Sequence, residues 1–405
     1  MLCEVSQLTG HPLGDFILAW GVLTLLGGLS MAVLSGSVFY LSYVRPTFEQ
    51  WQWKLNPEFP SPEKVRLEIT QMLKSLLAAT LCPAAALVLS QDRYSGVAHA
   101  YCGAAPKAGT PVPWGLTPAA YLVAQFVVFW VGSDFYEWAY HQVGHRSAWC
   151  WNVHKHHHVC AFNARARFCA RWSSAPRDVR RQLNLHAPPL FTHLSSPPVY
   201  NPSPFSVISD EWADQIVRTL PLLAWPLIMP TNMCVVRFCE RKQCAHSSRP
   251  TKSNTPTANP RALPRPSNLR DLLFAQFSLL FYAYGVYLHW GFETPLISAH
   301  NPIINGAYEH WYHHAKSGAN TPIYTGFFFK LWDQLVGTSQ TEPCVCSRCE
   351  VAAGRRSKKQ WEKVTVPDYS VLLQPSFWLA REAAAGAAPA EGPASAAKTR
   401  ARKQN

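Results

Sequence analysis

The stretch AAYLVAQFVVFWVGSDFYEWAYHQVGHRSAWCWNVHKHHH (residues 119–158) carries two histidine clusters directly after an apolar run. A third cluster, HWYHH (310–314), follows another apolar run much later in the chain. In a helix, residues three or four positions apart share a face, so each cluster can direct two or three imidazoles at one point. Together the clusters supply more ligands than one metal ion can bind, which predicts a two-metal site formed by His141, His145, His154, His157, His158, His310, His313 and His314. An imidazole set without matching cysteines suits iron, zinc or copper.

The composition favours a membrane protein. Hydrophobic residues make up 48% of the 405 residues and charged residues only 15%, which leans away from an ordinary soluble domain. A helix needs about 20 apolar residues to cross a bilayer. We therefore expect an all-α, multi-span membrane helical bundle with a cytosolic histidine-rich site, built on five apolar runs at 16–44, 72–89, 116–140, 220–236 and 272–292.

The distribution of positive charge predicts both topology and domain limits. The loop 45–71 contains four Lys or Arg and the loop 91–115 only two, which places 45–71 and the histidine clusters in the cytosol. Of the formal net charge of +13, the segments 160–198 and 234–270 supply +12, so the charge indicates no nucleic-acid-binding face. Both segments are rich in Arg, Pro and Ser without helical or strand periodicity, a composition that buries little apolar surface.

These features predict three regions. Residues 1–118 are expected to form membrane anchor spans, and 119–338 a catalytic domain. We interpret 160–198 and 234–270 as non-homologous insertions in that domain, although regulatory basic loops are the alternative. Residues 339–405 are expected to form a cytosolic, largely disordered tail, whose basic end resembles a retrieval signal of the endoplasmic reticulum.

The three histidine clusters resemble the pattern HX3–4H, HX2–3HH, HX2–3HH of the sterol desaturase and fatty-acid hydroxylase superfamily. The likeness covers residues 119–338 with two interruptions. It includes NPSPFSVISDEWADQIVRTLPLLAWPLIMP (201–230) and NTPIYTGFFFKLWDQLVGT (320–338), which are similar to segments that follow the second and third histidine clusters in sterol C5-desaturases. His289 matches a further histidine of the superfamily and joins the expected metal ligands. His300 has a weaker claim to that place.

The resemblance implies a non-haem enzyme with two iron ions in the membrane of the endoplasmic reticulum. It would use O2 and receive electrons from NAD(P)H through cytochrome b5 and its reductase, and its substrate would be a membrane-embedded sterol or lipid. The sterol C5-desaturases remove two hydrogens from C5 and C6 of a Δ7-sterol. The text around the first and third clusters departs from theirs, so a C4-methyl sterol oxidase or a fatty acyl or lipid hydroxylase stays open.

Two readings outside this enzyme class also remain. A histidine-rich metal transporter would place ionisable groups at the middle of its spans, whereas these clusters lie at span ends. An inactive, degenerate protein follows if the two basic segments disrupt the mature chain.

Several further side chains are candidates for supporting or additional sites. Asp134 and Glu137 lie seven and four residues before His141 on the same helical face, where they could orient ligand imidazoles or simply meet water at the membrane interface. Asp333 is expected to have a structural role. The pattern C-x-C-x-x-C at 344–349 could bind zinc with a fourth ligand, or its cysteines could be free thiols.

Overall fold

The computed structural model describes residues 9–89, 100–101, 115–159, 201–228, 231–232, 273–339 and 343–379. Both predicted insertions, 160–198 and 234–270, lie outside these ranges. The chain divides into two compact units, Met1–Pro367 and Asp368–Asn405. The second unit contains, within its described part, a 3₁₀ turn at Tyr369–Leu373 and a short helix at Pro375–Leu379.

The predicted helical architecture is confirmed over the described residues. The helices of the first unit are α1 (Pro12–Phe39), α2 (Phe48–Trp51), α3 (Pro62–Ala79), α4 (Leu81–Leu89), α5 (Pro118–Arg146), α6 (Ala148–Val159), α7 (Trp212–Ile228), α8 (Leu273–His289), α9 (Ala307–Lys316), α10 (Leu331–Val336), α11 (Ser347–Ala352) and α12 (Lys358–Trp361). A π-helical turn, Tyr40–Val44, extends α1, and a 3₁₀ turn, Pro204–Ile208, precedes α7. Two two-residue strands, β1 (Ala100–Tyr101) and β2 (Thr231–Asn232), pair in parallel.

The starts of the long helices are encoded locally. Ser61 accepts a hydrogen bond from the backbone N–H of Lys64 at the start of α3, and Thr117 does the same for Ala120 at the start of α5. A proline follows each of these capping residues, where its missing N–H costs nothing. These signals determine where α5 begins. The helix is long enough to place the first histidine cluster in its last two turns.

Two helical stretches are long and apolar enough to cross a membrane, Pro12–Val44 and Pro62–Leu89. Only 11% of the most apolar part of Pro12–Val44 is buried inside the protein. Leu25 and Val33 on α1 are 63% and 65% exposed, and a surface of this kind is compatible with contact to the interior of a membrane. α8 lies within the predicted span 272–292, whereas α7 begins before the predicted span 220–236 and shares only residues 220–228 with it; each helix has 17 described residues.

Helix packing brings the ends of α5, α6, α8 and α9 together. Phe129 on α5 packs against Trp225 on α7 and Phe281 on α8. The chain turns at Ser147 between α5 and α6, and Gly144 lets the two helices approach closely, because a Cβ there would lie 3.1 Å from Cγ of His154. On the other side of the site, α9 packs through Tyr308 and its apolar neighbours against Cys346.

The segment after residue 339 departs from the prediction of a largely disordered tail. Residues 343–367 belong to the first compact unit and contain α11 and α12. Arg356 is buried and donates a hydrogen bond to the carbonyl oxygen of Leu55. The ring of Trp361 packs on that of Trp51. These long-range contacts, which local composition does not encode, anchor the segment.

Tyr43 links three parts of the chain and provides a test of this packing. Its buried hydroxyl lies 2.8 Å from the carbonyl oxygen of Pro202 and 2.6 Å from that of Trp290. We expect Tyr43→Phe to lower the free energy of unfolding by about 1–3 kcal/mol, because buried carbonyls lose a hydrogen-bond donor. Thermal unfolding in detergent measures the effect. Tyr40→Phe, at a side chain 46% exposed, is the control, and equal melting temperatures for the two variants would contradict the assignment.

Candidate metal centre

Nine buried histidines form two adjoining groups, and each group could hold a metal ion. Within each group, one ligand nitrogen per residue can be chosen so that all lie within 4.8 Å of one another. The first group comprises His141, His145, His154, His158 and His313, and the second comprises His157, His289, His310 and His314. The structure thus brings together all eight cluster histidines and His289. It places His300 elsewhere, beside Cys346 and Cys349.

Neighbouring residues on one helix serve different groups. His157 and His158 on α6 belong to different groups, as do His313 and His314 on α9. Successive helical side chains point about 100° apart, so one turn can face two adjacent centres. The rings of His158 and His314, which belong to different groups, have centroids only 4.9 Å apart. Ions held by the two groups would therefore be close neighbours.

The nitrogen separations in the second group suit a shared ion. Nε2 of His310 lies 2.9 Å from Nε2 of His289 and 3.1 Å from Nε2 of His314. Around an ion with metal–nitrogen bonds of about 2.0–2.1 Å, nitrogens at adjacent coordination positions are about 3 Å apart. An ion between these three nitrogens would therefore need little rearrangement.

Hydrogen bonds to the far side of the rings set the tautomer. Backbone carbonyl oxygens lie 2.7–3.2 Å from Nδ1 of four histidines, namely Thr325 for His141, Gly318 for His145, Gly285 for His289 and Ile323 for His313. A carbonyl only accepts, so Nδ1 carries the proton and Nε2 keeps a lone pair. The buried Nε2 atoms of His141, His145, His154, His157, His158 and His313 have no hydrogen-bond partner among the described residues. Such atoms are costly to bury unless they bind something.

Burial also keeps most of the imidazoles neutral, as ligation requires. Burial, reinforced by His154, lowers the pKa of His145 to about 4. Burial together with neighbouring histidines lowers the pKa well below its ordinary value for six more residues, namely His141, His158 and His313 of the first group and His157, His310 and His314 of the second. Neutral rings keep the lone pairs that a metal ion would need.

Two aspartates at the start of α7, Asp210 just before it and Asp214 in its first turn, support the second histidine cluster. Asp210 accepts a hydrogen bond from Nδ1 of His157, and Oδ2 of Asp214 lies 3.4 Å from Nδ1 of His154. Both carboxylates are fully buried. Carboxylates in this position orient a metal-bound imidazole and raise its basicity. Sequence reasoning did not single out either residue, although two acids four positions apart after the second cluster were a usable signal.

The structure gives Asp134 and Glu137 roles different from those expected. Asp134 accepts hydrogen bonds from the backbone of Phe328, at 2.5 Å, and from the Trp332 indole, at 2.7 Å, so it anchors the segment after α9. Glu137 lies 2.6 Å from Arg218, which lies 2.5 Å from Asp210. It therefore acts on His157 through two intermediaries.

The segment after α9 is fixed by Asp333, whose expected structural role agrees with its contacts. Its carboxylate accepts hydrogen bonds from the backbone N–H groups of Thr325 and Gly326, at 3.2 and 2.8 Å. This holds in place the Thr325 carbonyl that orients His141. Glu309 lies beside the site but pairs with Lys330, at 2.6 Å.

Comparison with protein-family models, curated proteins and solved structures found no match. The resemblance to the sterol desaturase and fatty-acid hydroxylase superfamily accordingly rests on the histidine spacings and the two quoted segments. The geometry supports the coarser statement that these histidine groups could hold metal ions.

Metal content tests the two-group arrangement. We expect the purified protein to bind about two metal ions per chain through these histidines. His145→Ala and His310→Ala each remove a ligand from a different group, so each should lower the number of ions bound at these two groups from about two toward one per chain, measured by plasma mass spectrometry as the change in total metal. Unchanged metal content in both variants would contradict ligation by these groups. His11→Ala, at an exposed position before α1, is the control.

The aspartates should affect metal affinity without being ligands. Asp210→Asn and Asp214→Asn are each expected to weaken metal binding by about 10–100-fold, because the imidazole loses its charged acceptor. Competition with a chromophoric chelator measures the affinity. Glu63→Gln, at an exposed position on α3, should bind metal as the unaltered chain does. Equal affinities in all three variants would mean that the aspartates do not tune the site.

Proposed function

We propose that this chain is a membrane-bound, O2-dependent oxidoreductase with two non-haem iron ions, a sterol C5(6)-desaturase acting on a Δ7-sterol. The observation that carries the proposal is an apolar cavity joined by a short hydrogen-bond network to the histidine groups. Helical histidine clusters alone fit several metal proteins. A cavity for an apolar molecule beside two metal groups favours chemistry on a lipid.

The cavity has a volume of about 380 Å³ and lies among α1, α3, α4, α5, α7 and α8. This is within the range of small-molecule sites, which are mostly apolar with few polar groups. Most of its walls are apolar and include Leu23, Met31, Pro83, Val207, Leu222 and Phe281. An aliphatic ring system or acyl chain would replace water against such walls favourably.

Polar residues of the wall lead to the metal groups. Arg218 and Gln215 line the cavity and also bind Asp210, which accepts from His157. Gly285 lines it too, and its carbonyl oxygen lies 2.8 Å from Nδ1 of His289. A lipid in the cavity would therefore be separated from His157 and His289 of the second group by only one or two residues.

The donor set fits two iron ions, because neutral imidazoles suit first-row metals of this kind. Iron supplies the oxidising power for an unactivated C–H bond, which no side chain has. The protein orients the imidazoles through the acceptors behind them, and burial keeps bulk water from the centre. The cavity places one carbon of the substrate. In this proposal the protein positions the ions and the substrate and excludes water.

The remaining parts of the proposal follow from the resemblance and the apolar helices. Pro12–Val44 and Pro62–Leu89 would be two spans of a multi-pass protein of the endoplasmic reticulum, with the histidines facing the cytosol. Electrons would come from NAD(P)H through cytochrome b5 and its reductase. The histidines themselves do not distinguish desaturation from hydroxylation, so product analysis must.

Expression in a yeast strain lacking its own C5-desaturase tests the activity. We expect sterols with a new C5–C6 double bond, identified by mass spectrometry, and no such product from the His313→Ala variant. A hydroxylated sterol or fatty acyl product dependent on His313 would replace desaturation by the hydroxylase alternative. Bound iron without any oxidised lipid would refute both.

Narrowing the cavity tests whether it holds the substrate. Ala79 lines the cavity, whereas Leu77, on the same helix, is 45% exposed. We expect Ala79→Phe to reduce turnover at least tenfold with metal content unchanged, since the added ring occupies the cavity. Leu77→Phe should keep full turnover. Equal activity of the two variants would show that the substrate binds elsewhere.

A further inference from the structure

A second candidate metal site, with cysteine as well as histidine ligands, lies on the side of α9 that faces away from the histidine groups. His300, Cys344, Cys346 and Cys349 place one ligand atom each within 4.8 Å of one another. His300 lies in the loop between α8 and α9, and the cysteines surround the start of α11. The sequence leaves zinc and free thiols open for the C-x-C-x-x-C pattern, because three thiolates lack a fourth ligand. The fold supplies that fourth ligand, His300, which lies 44 residues before Cys344 in the sequence.

We propose that His300, Cys344, Cys346 and Cys349 bind one structural zinc ion. Nε2 of His300 lies 3.5 Å from Sγ of Cys346 and 3.4 Å from Sγ of Cys349. In a tetrahedral site with Zn–S of about 2.3 Å and Zn–N of about 2.0–2.1 Å, nitrogen and sulfur are about 3.5 Å apart. The His300 nitrogen and these two sulfurs are therefore spaced as a single tetrahedral ion would hold them, and Sγ of Cys344 lies within 4.8 Å of all three.

The two limbs of the site are braced by one carboxylate. Glu293 is buried and accepts a hydrogen bond from the backbone N–H of Ser347, at 2.7 Å, and another from that of Ala299, at 3.1 Å. Ser347 follows Cys346, and Ala299 precedes His300. The brace holds the loop and α11 in register before a metal binds, which reduces the entropy lost on binding.

Four protein ligands close the coordination sphere, and closed sites of this kind are structural rather than catalytic. The zinc would fasten residues 343–361 to the loop after α8 and thus to the back of α9. Cys346 is fully buried there in one cluster with Tyr308 and Trp311. The proposal is independent of the histidine groups, because it uses none of their residues.

Zinc content and coordination can be measured on the full chain in detergent. We expect about one zinc ion per chain besides the ions of the histidine groups, with X-ray absorption showing three sulfur ligands and one nitrogen ligand. A zinc absorption spectrum that shows only nitrogen and oxygen ligands, or the absence of zinc, would overturn the proposal. Acid-labile sulfide would show an iron–sulfur centre in place of zinc, and a disulfide found by thiol alkylation would also refute the proposal. This measurement needs no variant, so misfolding cannot obscure it.

Variants separate this site from the histidine groups. His300→Ala should reduce zinc content at least severalfold and lower the melting temperature, whereas His300→Cys should restore zinc by completing a four-cysteine set. His310→Ala should keep the zinc and lose metal from the second histidine group. Cys150→Ser, a cysteine outside all three groups, is the control. Zinc retained in both His300→Ala and Cys346→Ser would refute the assignment.

Discussion

Nine buried imidazoles share one small volume, and this crowding governs the rest of the site. Two protonated rings there would repel each other where water cannot screen the charge. Burial lowers the pKa of rings such as His141, His157 and His313, while acceptors at their outer nitrogens determine which nitrogen holds the remaining proton. Loops such as the one containing Ile323 and Thr325 therefore matter as much as the histidines. Their carbonyl oxygens decide which nitrogen of each ring faces inward.

The same network links the metal groups to the cavity. Asp210 contacts His157, Gln215 and Arg218, and the last two also line the apolar wall. A buried carboxylate is stable only with such partners. Because Asp210 contacts both the cavity-wall residues and His157, a change in the cavity wall would reach an imidazole through a single carboxylate. The proposed substrate position and the proposed iron position are therefore parts of one hydrogen-bonded unit.

Helical spacing predicted which histidines share a face, because that periodicity is a local property of the chain. It could not predict the acceptors behind the rings, since Asp210 reaches His157 across 53 residues of sequence. The same-face argument misplaced Asp134, whose carboxylate turns to Phe328 and Trp332. Likewise, the loop histidine His300 resembled a spare ligand of the main site until the fold placed it beside cysteines. Local rules identify candidates, and tertiary contacts assign their partners.

The histidine groups lie on one side of α9, and the group of three cysteines with His300 lies on the other. His310, His313 and His314 face the imidazole groups, whereas Tyr308, Trp311 and Tyr312 pack toward Cys346. Thiolates favour zinc and imidazoles accept iron, so ligand type rather than affinity would sort the metals. Because packed interiors transmit displacement, the proposed zinc on the cysteine side would limit how far α9 can shift. It would thereby also hold His310, His313 and His314 in place on the opposite face.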